Sequence, residues 1–125
     1  MPVHELQHVN IRCANVDAAR EFYVRALGLT VGPRPPFQSR GYWMYAGGQP
    51  IVHLVQRPAG EAPASGPGNV DHVGLGGVDL AGTRAHLQAE GIPYREQVVP
   101  GNGSVQIFVM DPDGVRVELN FDAGD

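Results

Sequence analysis

The feature that most constrains this chain is that its pattern is written twice. LQHVNI at residues 6–11 returns as VDHVGL at 70–75, NVDAA at 15–19 as GVDLA at 77–81, and IVHLV at 51–55 as RVELN at 116–120. Each copy reads as a strand, a helix and three further strands. A chain of 125 residues holds one domain of ordinary size, so the two copies read as half-domains of one fold.

The first copy opens with alternation over residues 6–16 (LQHVNIRCANV), which predicts a half-buried strand. Val9, Ile11 and Cys13 share one face, and His8, Asn10 and Arg12 the other. Asp17 is the expected N-cap of the following helix and Gly28 its terminator. Within that helix Ala19, Phe22, Tyr23, Ala26 and Leu27 form an apolar stripe. Strands are expected near Leu29–Gly32, Gly41–Ala46 and Pro50–Gln56. In the second copy residues 70–78 form the strand, Asp79 caps the helix, and Gly91 ends it. Its stripe rests on Leu80, Thr83 and Leu87. Strands follow near Tyr94–Val99, Ser104–Met110 and Val115–Phe121, the last two joined by the turn Asp111-Pro112-Asp113-Gly114. Residues 58–69 (PAGEAPASGPGN) carry three Pro and three Gly and read as a linker. The organisation expected is α+β: a single domain over 1–125, with module 1 at 4–57, a linker at 58–69 and module 2 at 70–121.

Overlaying the copies puts His8 on His72, 64 positions apart, and His53 on Glu118, 65 positions apart. The four are read as lying mid-strand among apolar neighbours, where a buried ionisable group demands a partner. A lone strand histidine is usually a satisfied core or surface residue, and Glu118 alone would be read as salt-bridged to a nearby arginine. The coincidence of the four points instead to a divalent cation that satisfies all of them, provided the modules are related by a pseudo-twofold. His4 and His86 have no repeat partner and are assigned to a frayed terminus and an exposed helix position.

Composition narrows the rest. The formal charge of −4 favours neither nucleic acid nor an anionic membrane as partner. No apolar run approaches the roughly 20 residues of a membrane span. Met1–Val9 lacks the features of a signal peptide, so a cytoplasmic location is expected. Cys13 is the only cysteine and reads as a small buried hydrophobe. All nine basic residues are arginine, which removes lysine chemistry altogether.

With these residues in place the sequence resembles the vicinal oxygen chelate superfamily of glyoxalases, extradiol dioxygenases and bleomycin-resistance proteins. HVNIRCANVDAAREFYVRALGL, VDHVGL and FVMDPDGVRVELNF carry the resemblance. It implies two βαβββ modules curling into an open, barrel-like cleft around one metal, with His8, His53, His72 and Glu118 as ligands. The metal implied is nickel, zinc, cobalt, manganese or Fe(II). The resemblance further implies a small-molecule substrate that chelates through adjacent oxygens, and a homodimer whose modules pair within or between chains. His53 stands where glyoxalase I has Glu, and Arg57 where it has Asn, a departure that argues against glutathione.

Strand alternation brings Asn10 and Arg12 to the face of His8, and Arg116 and Asn120 to that of Glu118, as candidate substrate-binding residues. Arg12 matches an arginine that contacts the glutathione carboxylate in glyoxalase I. Tyr42, Trp43 and Tyr45 are either a pocket wall or sheet packing, and the loop Pro33–Arg40 is a candidate lid. Asp111 and Asp113 belong to a turn, and Asp71 is expected on the face opposite His72. The activity expected first is a lyase or isomerase with Glu118 as general base and His53 as second candidate. The alternatives are an Fe(II) dioxygenase using His8, His72 and Glu118, with His53 as acid/base, and a non-enzymatic drug-binding protein.

Overall fold

The structure is a computed structural model that describes residues 2, 5–61 and 70–125. His4 and most of the proposed linker, residues 62–69, lie outside the described residues. The chain divides into two compact units, Met1–Pro63 and Ala64–Asp125. Unit 1 contains β1 (Val9–Cys13), α1 (Val16–Arg25), β2 (Thr30–Gly32), β3 (Gly41–Ala46) and β4 (Gln49–Gln56). Unit 2 contains β5 (Val73–Gly76), α2 (Leu80–Ala89), β6 (Arg95–Val98), β7 (Val105–Met110) and β8 (Arg116–Phe121). Both are βαβββ modules, and the class is α+β, as the repeat requires.

The two sheets repeat one another strand for strand. Their orders are β1-β4-β3-β2 and β5-β8-β7-β6. In each, the first strand runs parallel to the last and the remaining pairs are antiparallel. Register agrees to the residue: Val9 faces Val52 as Val73 faces Val117, and Asn10 faces His53 as Gly74 faces Glu118. The first strands are shorter than alternation suggests. The ladders begin at Val9 and Val73, so His8 and His72 stand just ahead of the sheets, exposed, rather than mid-strand. Val70 and Val78, at the ends of the expected strand 70–78, are 72% and 79% exposed. The argument from burial therefore holds for His53 and Glu118 and not for their partners.

Helix α1 is seated by apolar burial and by its ends. Val16, Ala19 and Tyr23 are buried, and the helix contacts all four strands of its sheet. Asn15, not Asp17, is the N-cap, accepting from the Ala18 amide at 3.1 Å. Asp17 lies in the first turn, where its charge suits the helix dipole. Its carboxylate accepts from Tyr42 Oη at 2.6 Å and pairs with Arg40, tying the helix to β3. The helix closes with Leu29 N–H donating to Tyr23 O and Gly28 N–H to Val24 O, with Gly28 at φ +70°. Helix α2 buries only Leu80 and Leu87. Asp79 is its N-cap as expected, accepting from the Gly82 amide at 3.0 Å. A Cβ at Gly82 would stand 2.2 Å from that carboxylate, which accounts for a glycine inside a helix.

Cys13 is fully buried, with Val52, Leu54 and Met44 in the core of unit 1. Ile107, Val109, Val117, Leu119 and Phe121 form that of unit 2.

Candidate functional site

Strand β4 is buried on both faces. Val52 and Leu54 turn into the core, so His53 between them points to the other side of the sheet. There it shares a cross-strand row with Asn10 on β1 and Trp43 on β3. Its ring is sandwiched between His8, 3.9 Å away between centroids, and Trp43, 4.0 Å away, both nearly parallel to it. Nε2 lies 3.0 Å from Pro50 O. A carbonyl only accepts, so Nε2 carries the proton and Nδ1 the lone pair of the neutral ring. Burial first, and then the His8 imidazole, push the His53 pKa below its usual value. The ring is accordingly kept in the uncharged form that binds metals or takes up protons.

The equivalent row in unit 2 is Gly74, Glu118 and Phe108. Glu118 is only 7% exposed, and its carboxylate is held at both oxygens. Oε2 lies 2.9 Å from His72 Nε2, and Oε1 accepts from Gln106 Nε2 at 2.6 Å. Gln106 also donates to Asn120 Oδ1 at 3.2 Å and accepts from Gln97 Nε2 at 2.7 Å. On the far side of the imidazole, His72 Nδ1 lies 2.9 Å from Asp71 Oδ1. Asp71 also accepts from Arg116 Nη1 at 3.0 Å, and these two contacts hold its pKa below the usual range, the His72 contact more strongly.

Asp71 therefore does not turn away from His72, as alternation alone suggests. The ladder starts only at Val73, and ahead of it the chain is free to bring both side chains together.

The structure thus brings the four repeat-equivalent residues together as two pairs, one per unit. Among the described residues no group of three or more His, Cys, Asp or Glu side chains is placed to hold a metal ion by itself. The chemistry of the unit 2 pair nevertheless fits a divalent cation. Two donors on adjacent corners of an octahedral ion at about 2.1 Å lie about 3 Å apart, close to the separation of Nε2 and Oε2. The Asp71 carboxylate on Nδ1 is the outer contact that fixes the tautomer of a liganding histidine.

The other candidate residues divide. Asn10 lines a cavity of about 330 Å³ in unit 1, together with His8, His53 and Trp43. Arg12 is half-exposed and paired with Glu61. Arg116 and Asn120 reach the His72–Glu118 pair through Asp71 and Gln106. Of the three aromatics on β3, only Trp43 lines the cavity. Tyr42 bonds Asp17, and Tyr45 Oη donates to Pro33 O at 2.6 Å. The loop considered as a lid contributes Arg34, Phe37 and Ser39 to the cavity.

Sequence reasoning missed Gln106 and Gln97. Gln106 lies two residues from Phe108, which faces Glu118, so the β7–β8 register, and alternation along β7 only once that register is known, locates it.

The fold, the repeat and this site define a class. The chain belongs to the Glyoxalase/Bleomycin resistance protein/Dioxygenase superfamily, whose family model matches residues 5–119. Among curated proteins it is similar to Glyoxylase I 4 of Arabidopsis thaliana, with 30% identity over 127 residues, covering 94% of this chain and 72% of that protein. Among solved structures, a glyoxalase family protein from Enterococcus faecalis superposes with a TM-score of 0.73 and 27% identity, over 96% of this chain and 99% of that one. A lactoylglutathione lyase from Agrobacterium tumefaciens gives 0.69 and 23%, over 95% and 94%. This last likeness speaks to the fold alone. Among the described residues no helix is long and apolar enough to cross a membrane.

Proposed function

We propose that this chain is a metal-dependent lyase or isomerase acting on a small substrate that presents two adjacent oxygens. His8, His53, His72 and Glu118 are the residues that would hold one divalent cation, and module 1 over 4–57 and module 2 over 70–121 the two halves that supply them. The observation that carries this reading is the unit 2 pair, with His72 Nδ1 held by Asp71 and Nε2 2.9 Å from Glu118 Oε2. The similarity to Glyoxylase I 4 supports the reaction class. When bound, the cation supplies Lewis acidity to a substrate carbonyl.

The residues of the chain do the remainder. Glu118, once loosened as a ligand, accepts a proton from the carbon beside that carbonyl, while Gln106 holds Oε1. Asn10, Arg12, Arg116 and Asn120 hold the polar ends of the substrate. The protein acts as a cytoplasmic homodimer. A second reading, an Fe(II) dioxygenase, is favoured by one observation: His53 is kept neutral and boxed between rings, which suits an acid/base beside the metal better than a ligand on it.

The test is elemental analysis of protein purified without added metal, followed by exchange of substrate C–H protons with solvent deuterium. Nickel, zinc, cobalt or manganese with exchange supports the lyase reading. Iron with oxygen uptake on catechols and no exchange replaces it by the second. Metal-free protein that takes up none of these ions refutes both.

A further inference from the structure

The cavity of unit 1 has chemistry of its own beside His53, in the loop before β3. Arg34 is half-buried at its edge. Its Nη2 donates to Ser39 Oγ at 3.0 Å, and its Cζ lies 5.1 Å from the centre of the Phe37 ring. Phe37 is tilted against Trp43, with 6.4 Å between ring centroids and 46° between planes, and is 55% exposed. Among the described residues that line the cavity, none carries a carboxylate.

The repeat shows that this space is specific to unit 1. Gly41 faces Val55 in the register in which Gln106 faces Asn120. In unit 2 the Gln106 side chain fills the space beside Glu118. In unit 1 the same place has no side chain, and a Cβ there would stand 3.1 Å from Arg34 Nη2 and 2.2 Å from Leu54 O. Where one module closes over its central residue, the other leaves room for a guanidinium and a ligand.

We propose that this cavity binds an organic monocarboxylate with a flat apolar body, Arg34 engaging the carboxylate and Trp43 and Phe37 receiving the body. The assignment rests on the reading above that His8 and His53, which line the same cavity, belong to the site that would hold the cation. A guanidinium matches a carboxylate through two parallel hydrogen bonds. One cation neutralises one charge, and a phosphate dianion would leave the second against aromatic walls. A volume of about 330 Å³ is at the small end of ligand pockets and suits a single ring.

Trp43 is the only tryptophan of the chain, so its fluorescence reports on this cavity without any need for turnover. Titration of the full chain with benzoate should quench it saturably. Benzamide, of nearly the same shape without the charge, should bind at least tenfold more weakly. Arg34→Met should weaken benzoate at least tenfold and leave benzamide unchanged. If that variant does not fold, the contrast between benzoate and benzamide on wild type decides.

Equal binding of the two probes overturns the proposal, as does tighter binding of phenylphosphonate or the absence of saturable quenching by benzoate. Repeating the titration after chelator treatment separates it from the metal reading. Charge-selective binding that survives in protein shown to take up no metal leaves the Arg34 site standing while the metal reading falls. Benzoate binding that needs the metal and ignores Arg34→Met places the carboxylate on the ion and overturns the Arg34 assignment alone.

Discussion

The two modules share strand order and register, and at the positions where they could be most alike they differ most. His53 and Glu118 occupy the same place in the same row. Glu118 is gripped by Gln106, which is itself held by Gln97, and its other oxygen meets His72. Among the described residues His53 makes one hydrogen bond, to a backbone carbonyl, and is otherwise held by the faces of two rings. A duplicated backbone evidently fixes where a side chain stands and leaves free what surrounds it. One half can then be a locked carboxylate, and the other an open, aromatic-walled cavity.

The largest effect that tests this division concerns the base. If unit 2 carries it, Glu118→Gln should lower substrate C–H exchange by about 10²–10⁴-fold. His53→Gln should lower it by clearly less. Deuterium incorporation followed by NMR in both variants checks this, with bound metal measured alongside. The reverse order of the two losses would move the base to unit 1 and invert the comparison.

Next in size is the place where the repeat exchanges Gln106 for Gly41. Gly41→Ala should destabilise the protein by about 1–3 kcal/mol, because the added methyl meets the Leu54 carbonyl and must displace backbone. Gln106→Met should cost about 1–3 kcal/mol for a different reason, since a buried carboxylate oxygen loses its donor. Urea unfolding of both variants measures these. A neutral Gly41→Ala would mean that the strand accommodates a side chain there and that the space beside Arg34 is not reserved.

The architecture was legible because it depends on quantities a sequence carries. Strand alternation, the Gly28 and Gly91 stops and the doubled HV motif led to the modules. The four central residues followed from the overlay. What escaped was set by register and by chain outside the ladders. The N-cap at Asn15 was missed because Asp17, an equally good capping residue, is taken up instead by Tyr42 and Arg40. Asp71 was turned the wrong way because alternation was extended past the first paired residue. Gln106 needed the β7–β8 register. Arg34 was read only as part of a candidate lid, because its loop has no periodicity that would place it at the cavity.

The smallest effect contrasts how the helices are tied down. Helix α1 is fastened through Asp17 to Arg40 and Tyr42, and α2 through Arg84 to both oxygens of Glu96. The bond from Arg40 leads in lowering the Asp17 pKa, and the bond from Arg84 in lowering that of Glu96. A carboxylate whose folded pKa is depressed stabilises the fold above its unfolded pKa, about 3.9 for Asp and 4.3 for Glu. That contribution fades as pH falls through the lower, folded value. Asp17→Asn and Glu96→Gln should therefore each lower Tm at neutral pH and match wild type once the pH is well below both values. Because α1 buries Val16, Ala19 and Tyr23 while α2 has only Leu80 and Leu87, Glu96→Gln should cost more than Asp17→Asn. Thermal melts of both variants at the two pH values measure this, and a larger loss for Asp17→Asn would show that α1 depends on its surface ties more than its burial implies.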